Sequence, residues 1–217
     1  MFVGHLAIAL GAKRNAHRVN LAWLVTAVIA LDLVWPIFVI TGVEQVSIVP
    51  GATAFTPFVF DSYPWSHSLL MACVWGFVIY AIAKWRGLRA SDARFVGLLV
   101  LSHWVLDVVS HNPDMPLWPG ASSPKYGLGL WNSVPATYAV EGAMWAGAIL
   151  IYLTSRPLRG WKSHVAFWSF VGVSTVMWAA GPFGPPPPSA QALGWMALIG
   201  WIMIPWAYAA DKRAPAK

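Results

Sequence analysis

His103, Asp107 and His111 recur at four-residue intervals in FVGLLVLSHWVLDVVSH, residues 95–111. On a helix of about 3.6 residues per turn, side chains at i, i+4 and i+8 stack along one face. Val, Leu, Trp and Phe surround them, so the polar stripe stands in an apolar setting. Ionisable groups in such a setting are costly, and function is the usual reason they are kept. Two imidazoles and a carboxylate are also donors that zinc accepts. The chemistry of this chain is expected on that face.

The elements that must carry the stripe follow from composition. Of 217 residues, 58% are hydrophobic and 10% charged, against about 25% charge in an ordinary soluble domain. The chain is expected to be all-α, a polytopic membrane helix bundle forming one domain over 1–217. About six transmembrane helices are expected, near 19–43, 67–83, 95–112, 134–154, 162–181 and 190–209. Met1–Ala12 is apolar but too short to cross, and Lys13-Arg14 follow at once. It reads as a short N-terminal half-helix entering the bundle, with an interfacial anchor as the alternative.

Basic residues sort by side. Lys13, Arg14 and Arg18 precede the first span, and Lys84, Arg86, Arg89 and Arg94 fill the second connection. Arg156, Arg159 and Lys162 fill the fourth, and Lys212, Arg213 and Lys217 form a basic tail from about 210. Only Lys125 falls on the other side. That asymmetry predicts a multi-pass protein with both termini cytoplasmic. The net charge of +6 is thus spread as topology signals, which argues against a nucleic-acid partner. The single Cys73 excludes an internal disulfide, and no CxxC motif is present. GPFGPPPPS at 181–189 reads as a stiff, extended turn.

Helix rise brings further polar groups to one depth. Asp32 sits about 20 Å above the cytoplasmic end of its span, and His103 and Asp107 about 12 and 18 Å above theirs. Glu141 lies about 10 Å below the outer end of the fourth span, and His67 opens the second from outside. Asp32, Asp107 and Glu141 therefore share a layer, with His67 and His111 above it and His5 and His103 below. Taken singly, each has a simpler reading as a hydrogen bond between helices. His17 and His164 read as groups near the cytoplasmic surface, and Glu44 and Asp61 as loop carboxylates. Asp114, in HNPDMP, extends the site from above or forms a turn. Ser133, ahead of Pro135, is expected to cap the fourth span, and Asp92 the third.

In chain order, an early His5, an intramembrane Asp32, His67-Ser68 at a span entrance and a His103-x-x-x-Asp107 pair resemble a known family. It is the bacterial inner-membrane metal-dependent hydrolases, loosely similar to zinc-dependent phospholipases C. The likeness covers about residues 1–115 and implies metal binding in the bacterial inner membrane. Ala30-Leu31-Asp32-Leu33 offers one carboxylate where that family often has Pro-Asp-x-Asp, which counts against two metals. Tyr63-Pro64-Trp65-Ser66-His67-Ser68 stands where it has Arg-Gly-x-x-His-Ser, which removes a phosphate contact.

The leading expectation is a membrane-embedded hydrolase with a divalent metal, zinc, held by His5, Asp32, His67, His103 and Asp107. His111 and Asp114 are further candidates. A catalytic zinc keeps a position for water and lowers its pKa to about 7. Glu141, or Asp32, then serves as the proton acceptor. A site at this depth suits a lipid or lipid-linked phosphoester or ester. The alternative is a proton- or ion-coupled transporter using the same Asp, Glu and His groups.

Overall fold

A computed structural model describes residues 1–158 and 160–211. Apolar segments fold here as helices because a bilayer leaves backbone groups no other partner. α1 (Phe2–Ala12) is followed by α2 (Leu21–Val28) and α3 (Ala30–Ile40). A hairpin of β1 (Gln45–Ile48) and β2 (Phe58–Ser62) comes next. Then come the single turn α4 (Pro64–His67), α5 (Leu69–Trp85) and α6 (Ala90–Ser110). A minimal ladder of β3 (Met115–Pro116) and β4 (Lys125–Tyr126) precedes α7 (Val134–Ser155) and α8 (Trp161–Ala180). α9 (Ala190–Ala197) and α10 (Met203–Ala210) complete the bundle, joined by a 3₁₀ stretch. The all-α expectation holds.

Among the described residues, four helical segments are long and apolar enough to cross a membrane, or five if α2 and α3 form one span bent by 52°. α5 stands where a sixth was expected but has only 17 residues. Phe77, Leu98, Leu150 and Val176 point outward and are exposed. An apolar exterior over apolar helices is the pattern of a multi-pass membrane protein.

α1 is the half-helix of the sequence reading, and it lies inside the bundle. Val3, Leu6, Ala9 and Leu10 are fully buried in the main core with Leu21, Leu24 and Val28 of α2. Ser133 caps α7 by accepting the Ala136 amide at 3.3 Å, as expected. The capping expectation for Asp92 fails. α6 begins earlier, at Ala90, behind Arg89, and Asp92 lies in the first turn, where a carboxylate still meets the positive end of the helix.

Two local features set the site. Gly76 of α5 and Gly97 of α6 face each other, so that a Cβ on either would stand 2.7 Å from the other's carbonyl oxygen. The two backbones therefore approach closely. Between α2 and α3 the chain breaks at Ile29, with φ −110° and ψ 12°. There His103 Nδ1 lies 2.7 Å from the Val28 carbonyl oxygen. A side chain inserted into the helical ladder is a known cause of such a bend.

Candidate metal centre

α6 carries His103 and Asp107 into the interior, where both are buried. Asp107 presents an oxygen to each of two imidazoles: Oδ1 to His5 Nε2 at 3.1 Å and Oδ2 to His103 Nε2 at 2.9 Å. The His5 and His103 rings stack with centroids 3.8 Å apart and planes 6° apart. The second turn of α1 thus brings His5 to the same carboxylate. The Met1 nitrogen, at the head of that helix, lies 2.6 Å from Asp107 Oδ1.

Asp32 arrives from the bend. It occupies the first turn of α3, at the positive end of the helix, and its Oδ1 lies 3.7 Å from His103 Nε2 and 3.5 Å from His67 Nε2. Its side chain is 47% exposed, unlike those of the other four. His67, the last residue of α4, also approaches Asp107 Oδ2 at 3.8 Å. Two overlapping sets of donor atoms result: His5, His103 and Asp107, and Asp32, His67 and His103.

The donor set fits a cation for a specific reason. His103 Nδ1 faces the Val28 carbonyl, which only accepts, so Nδ1 holds the ring proton. In a neutral ring Nε2 then carries the lone pair; it is buried, makes no well-aligned hydrogen bond among the described residues and faces two carboxylates, at 2.9 and 3.7 Å. A lone pair aimed at carboxylate oxygens is unfavourable, so this nitrogen calls for a second ring proton shared with Asp107 or for a cation beyond the Met1 ammonium that already meets Asp107 Oδ1. Both sets include His103, whose one ring nitrogen turned away from Val28 could hold one ion.

His67 is oriented similarly, by residues that sequence reading passed over. Its Nδ1 lies 2.7 Å from Ser66 Oγ, which lies 2.6 Å from Glu44 Oε2. Glu44 Oε1 accepts the Trp65 and Ser66 amides, each at 2.8 Å, at the start of α4. A carboxylate only accepts, so the serine hydroxyl donates to Glu44 and receives the proton of His67 Nδ1. In a neutral ring His67 Nε2 is then the unprotonated nitrogen, and it faces Asp32 at 3.5 Å. Such outer partners fix the tautomer of a ligating histidine. Burial pushes the Glu44 carboxyl above its usual range, against the opposing pull of the Ser66 hydroxyl and amide. Only an acid shortly after an apolar span hinted at Glu44, and no spacing tied it to His67.

The remaining candidates are less central. His111 follows the end of α6, so the i+8 position leaves the helix before it is reached. Its Nε2 lies 3.9 Å from Asp107 Oδ1 and its Nδ1 3.1 Å from Asp114 Oδ1. Asp114 also accepts from the Tyr63 hydroxyl and so holds His111 from above. Glu141 is buried across α1, with Oε2 on the Gly4 amide at 3.2 Å and Oε1 making no well-aligned hydrogen bond among the described residues.

A cavity of about 330 Å³ opens over the cluster. Asp32, His5, His67, Asp107 and His111 line its polar side, while Glu141 is not among the lining residues. Phe58 and Phe60 from the hairpin, with Trp131 and Trp178, form apolar walls. Compared with known protein families, curated proteins and solved structures, the chain matches none.

Proposed function

We propose that this chain is a metal-dependent hydrolase of the bacterial inner membrane, with both termini cytoplasmic. It holds one divalent cation, zinc, through His103 and Asp107 with His5, Asp32 and His67. The observation that carries the reading is the buried Nε2 of His103, set 2.9 and 3.7 Å from the oxygens of two carboxylates with His5 and His67 beside it. The residue order His5, Asp32, His67-Ser68, His103, Asp107 adds the likeness to the inner-membrane metal-dependent hydrolases.

A divalent cation at these donors would supply Lewis acidity, polarising a carbonyl or phosphoryl oxygen and lowering the pKa of water. The chain's own residues do the rest. Asp32 presents the one half-exposed carboxylate of the cluster to the cavity, and is the group suited to take a proton there. Glu141 holds the first turn of α1 through Gly4, and thereby His5, one residue on. The aromatic walls exclude water and favour an apolar chain, which supports a lipid or lipid-linked ester or phosphoester as substrate.

The competing reading, a proton-coupled transporter, draws on the series Asp107, His111, Asp114, with steps of 3.9 and 3.1 Å. The two separate in one experiment. Purified protein is incubated with fluorogenic acyl-ester and phosphodiester lipids, with and without a chelator. Hydrolysis that the chelator abolishes and His103→Ala lacks is the expected result. Turnover indifferent to both would overturn the proposal.

A further inference from the structure

A second polar cavity lies at the opposite end of α1. It measures about 500 Å³ and is lined by Lys13, His17, Arg18, Arg156, Tyr208 and Asp211, with Asn20 beside them. Its one carboxylate is already satisfied. Asp211, buried on the floor, accepts from Lys13 Nζ at 2.5 Å, the Leu21 amide at 2.9 Å, Tyr152 OH at 3.1 Å and Arg156 Nε at 2.8 Å. That carboxylate, the one among the described lining residues, fixes Lys13 and Arg156 in place. Arg18 and His17 stand exposed at the mouth and make no ion pair among the described residues.

This end is also the one where aromatic side chains mark an interface. Trp85 at the end of α5 and Trp161 at the start of α8 are 80% and 71% exposed. Arg86 and Lys162 lie over their rings at 5.9 and 6.0 Å. Tryptophans beside basic residues at helix ends sit at headgroup level.

We infer that this cavity binds a phosphate group, supplied by the headgroup of an anionic phospholipid. Among the described lining residues, Arg18 and His17 at the mouth join Arg156 on a concave site whose one carboxylate is already committed, which is the electrostatic complement of a phosphate. Basic pockets between spans at a bilayer surface take anionic headgroups by this chemistry. The site is separate from the histidine cluster and does not rest on the metal reading.

The test uses full-length protein in detergent, with thermal unfolding followed as phosphatidylglycerol, phosphatidylcholine or inorganic phosphate is added. Phosphatidylglycerol should raise Tm saturably and phosphatidylcholine should not. Arg18→Gln, at an exposed residue without an ion pair among the described residues, should raise the half-saturating concentration about fivefold, the worth of one interfacial basic residue. Arg86→Gln, on the same surface but outside the cavity, should leave it unchanged. A saturable shift with inorganic phosphate alone, weakened by Arg18→Gln, would mark free phosphate as the source. Equal shifts with both lipids, an indifferent Arg18→Gln, or an equal loss in Arg86→Gln would overturn the site.

Discussion

Glu44→Gln changes one atom, 22 residues along the chain from the hydroxyl it faces, and should weaken metal binding. The Gln carbonyl oxygen can keep the two backbone amides that Glu44 Oε1 accepts at 2.8 Å. Its NH₂ then faces Ser66 Oγ, 2.6 Å from the present carboxylate oxygen. A donor there turns the serine proton toward His67 Nδ1, which must accept it, so the ring proton moves to Nε2. That nitrogen points at Asp32 and Asp107 and can no longer bind a cation. Loss of such an outer partner typically costs about 10–100-fold in metal affinity, or about 1.4–2.7 kcal/mol. Stability should move differently. Burial raises the Glu44 carboxyl pKa, so the folded state binds its proton more tightly than the unfolded chain does. Stability from this group is therefore present at low pH and lost as pH rises from the ordinary carboxylate value through the raised one. At pH 8 the neutral Gln should leave the metal-free Tm unchanged or higher. Competition against a chromophoric zinc chelator, beside metal-free unfolding, reads both quantities. Wild-type zinc affinity in a folded Glu44→Gln protein would refute the tautomer argument.

Gly97→Ala puts a Cβ 2.7 Å from the Gly76 carbonyl, so it should destabilise by about 1–3 kcal/mol, read as a lower Tm; an unchanged Tm would mean α5 and α6 separate freely. Glu141→Gln keeps an acceptor for the Gly4 amide and should retain zinc within about twofold, well short of the loss an outer partner brings. Glu141→Ala orphans that buried amide at about 1–3 kcal/mol, and it should lower Tm and loosen zinc through His5. Zinc loss in Glu141→Gln would make Glu141 a ligand.

Much of this arrangement was legible because helices translate sequence distance into depth. Counting rise put Asp32 and Asp107 in one layer with His67 and His103 close by, and the structure brings all four together with His5. The helical period failed only at His111, because α6 ends one residue earlier. Long-range partners were invisible for a physical reason: neither Glu44 with Ser66 nor Gly76 with Gly97 shares a helix, so no period links them. The break at Ile29 escaped notice because its cause lies on another helix, in the His103 imidazole that takes the Val28 carbonyl. The hairpin that roofs the cavity falls between the first two expected spans, 19–43 and 67–83, where no helical period marks Phe58 and Phe60.

Elemental analysis of the detergent-purified chain tests the central claim most directly. His103 belongs to both sets of donors and turns one ring nitrogen away from Val28, so wild-type protein should carry one divalent ion per chain, and zinc should be the ion retained. His103→Ala and Asp107→Ala should each lose most of it while remaining folded enough to purify as the wild type does. Wild-type protein that stays metal-free after zinc is supplied, or His103→Ala that keeps the full complement, would contradict the metal site.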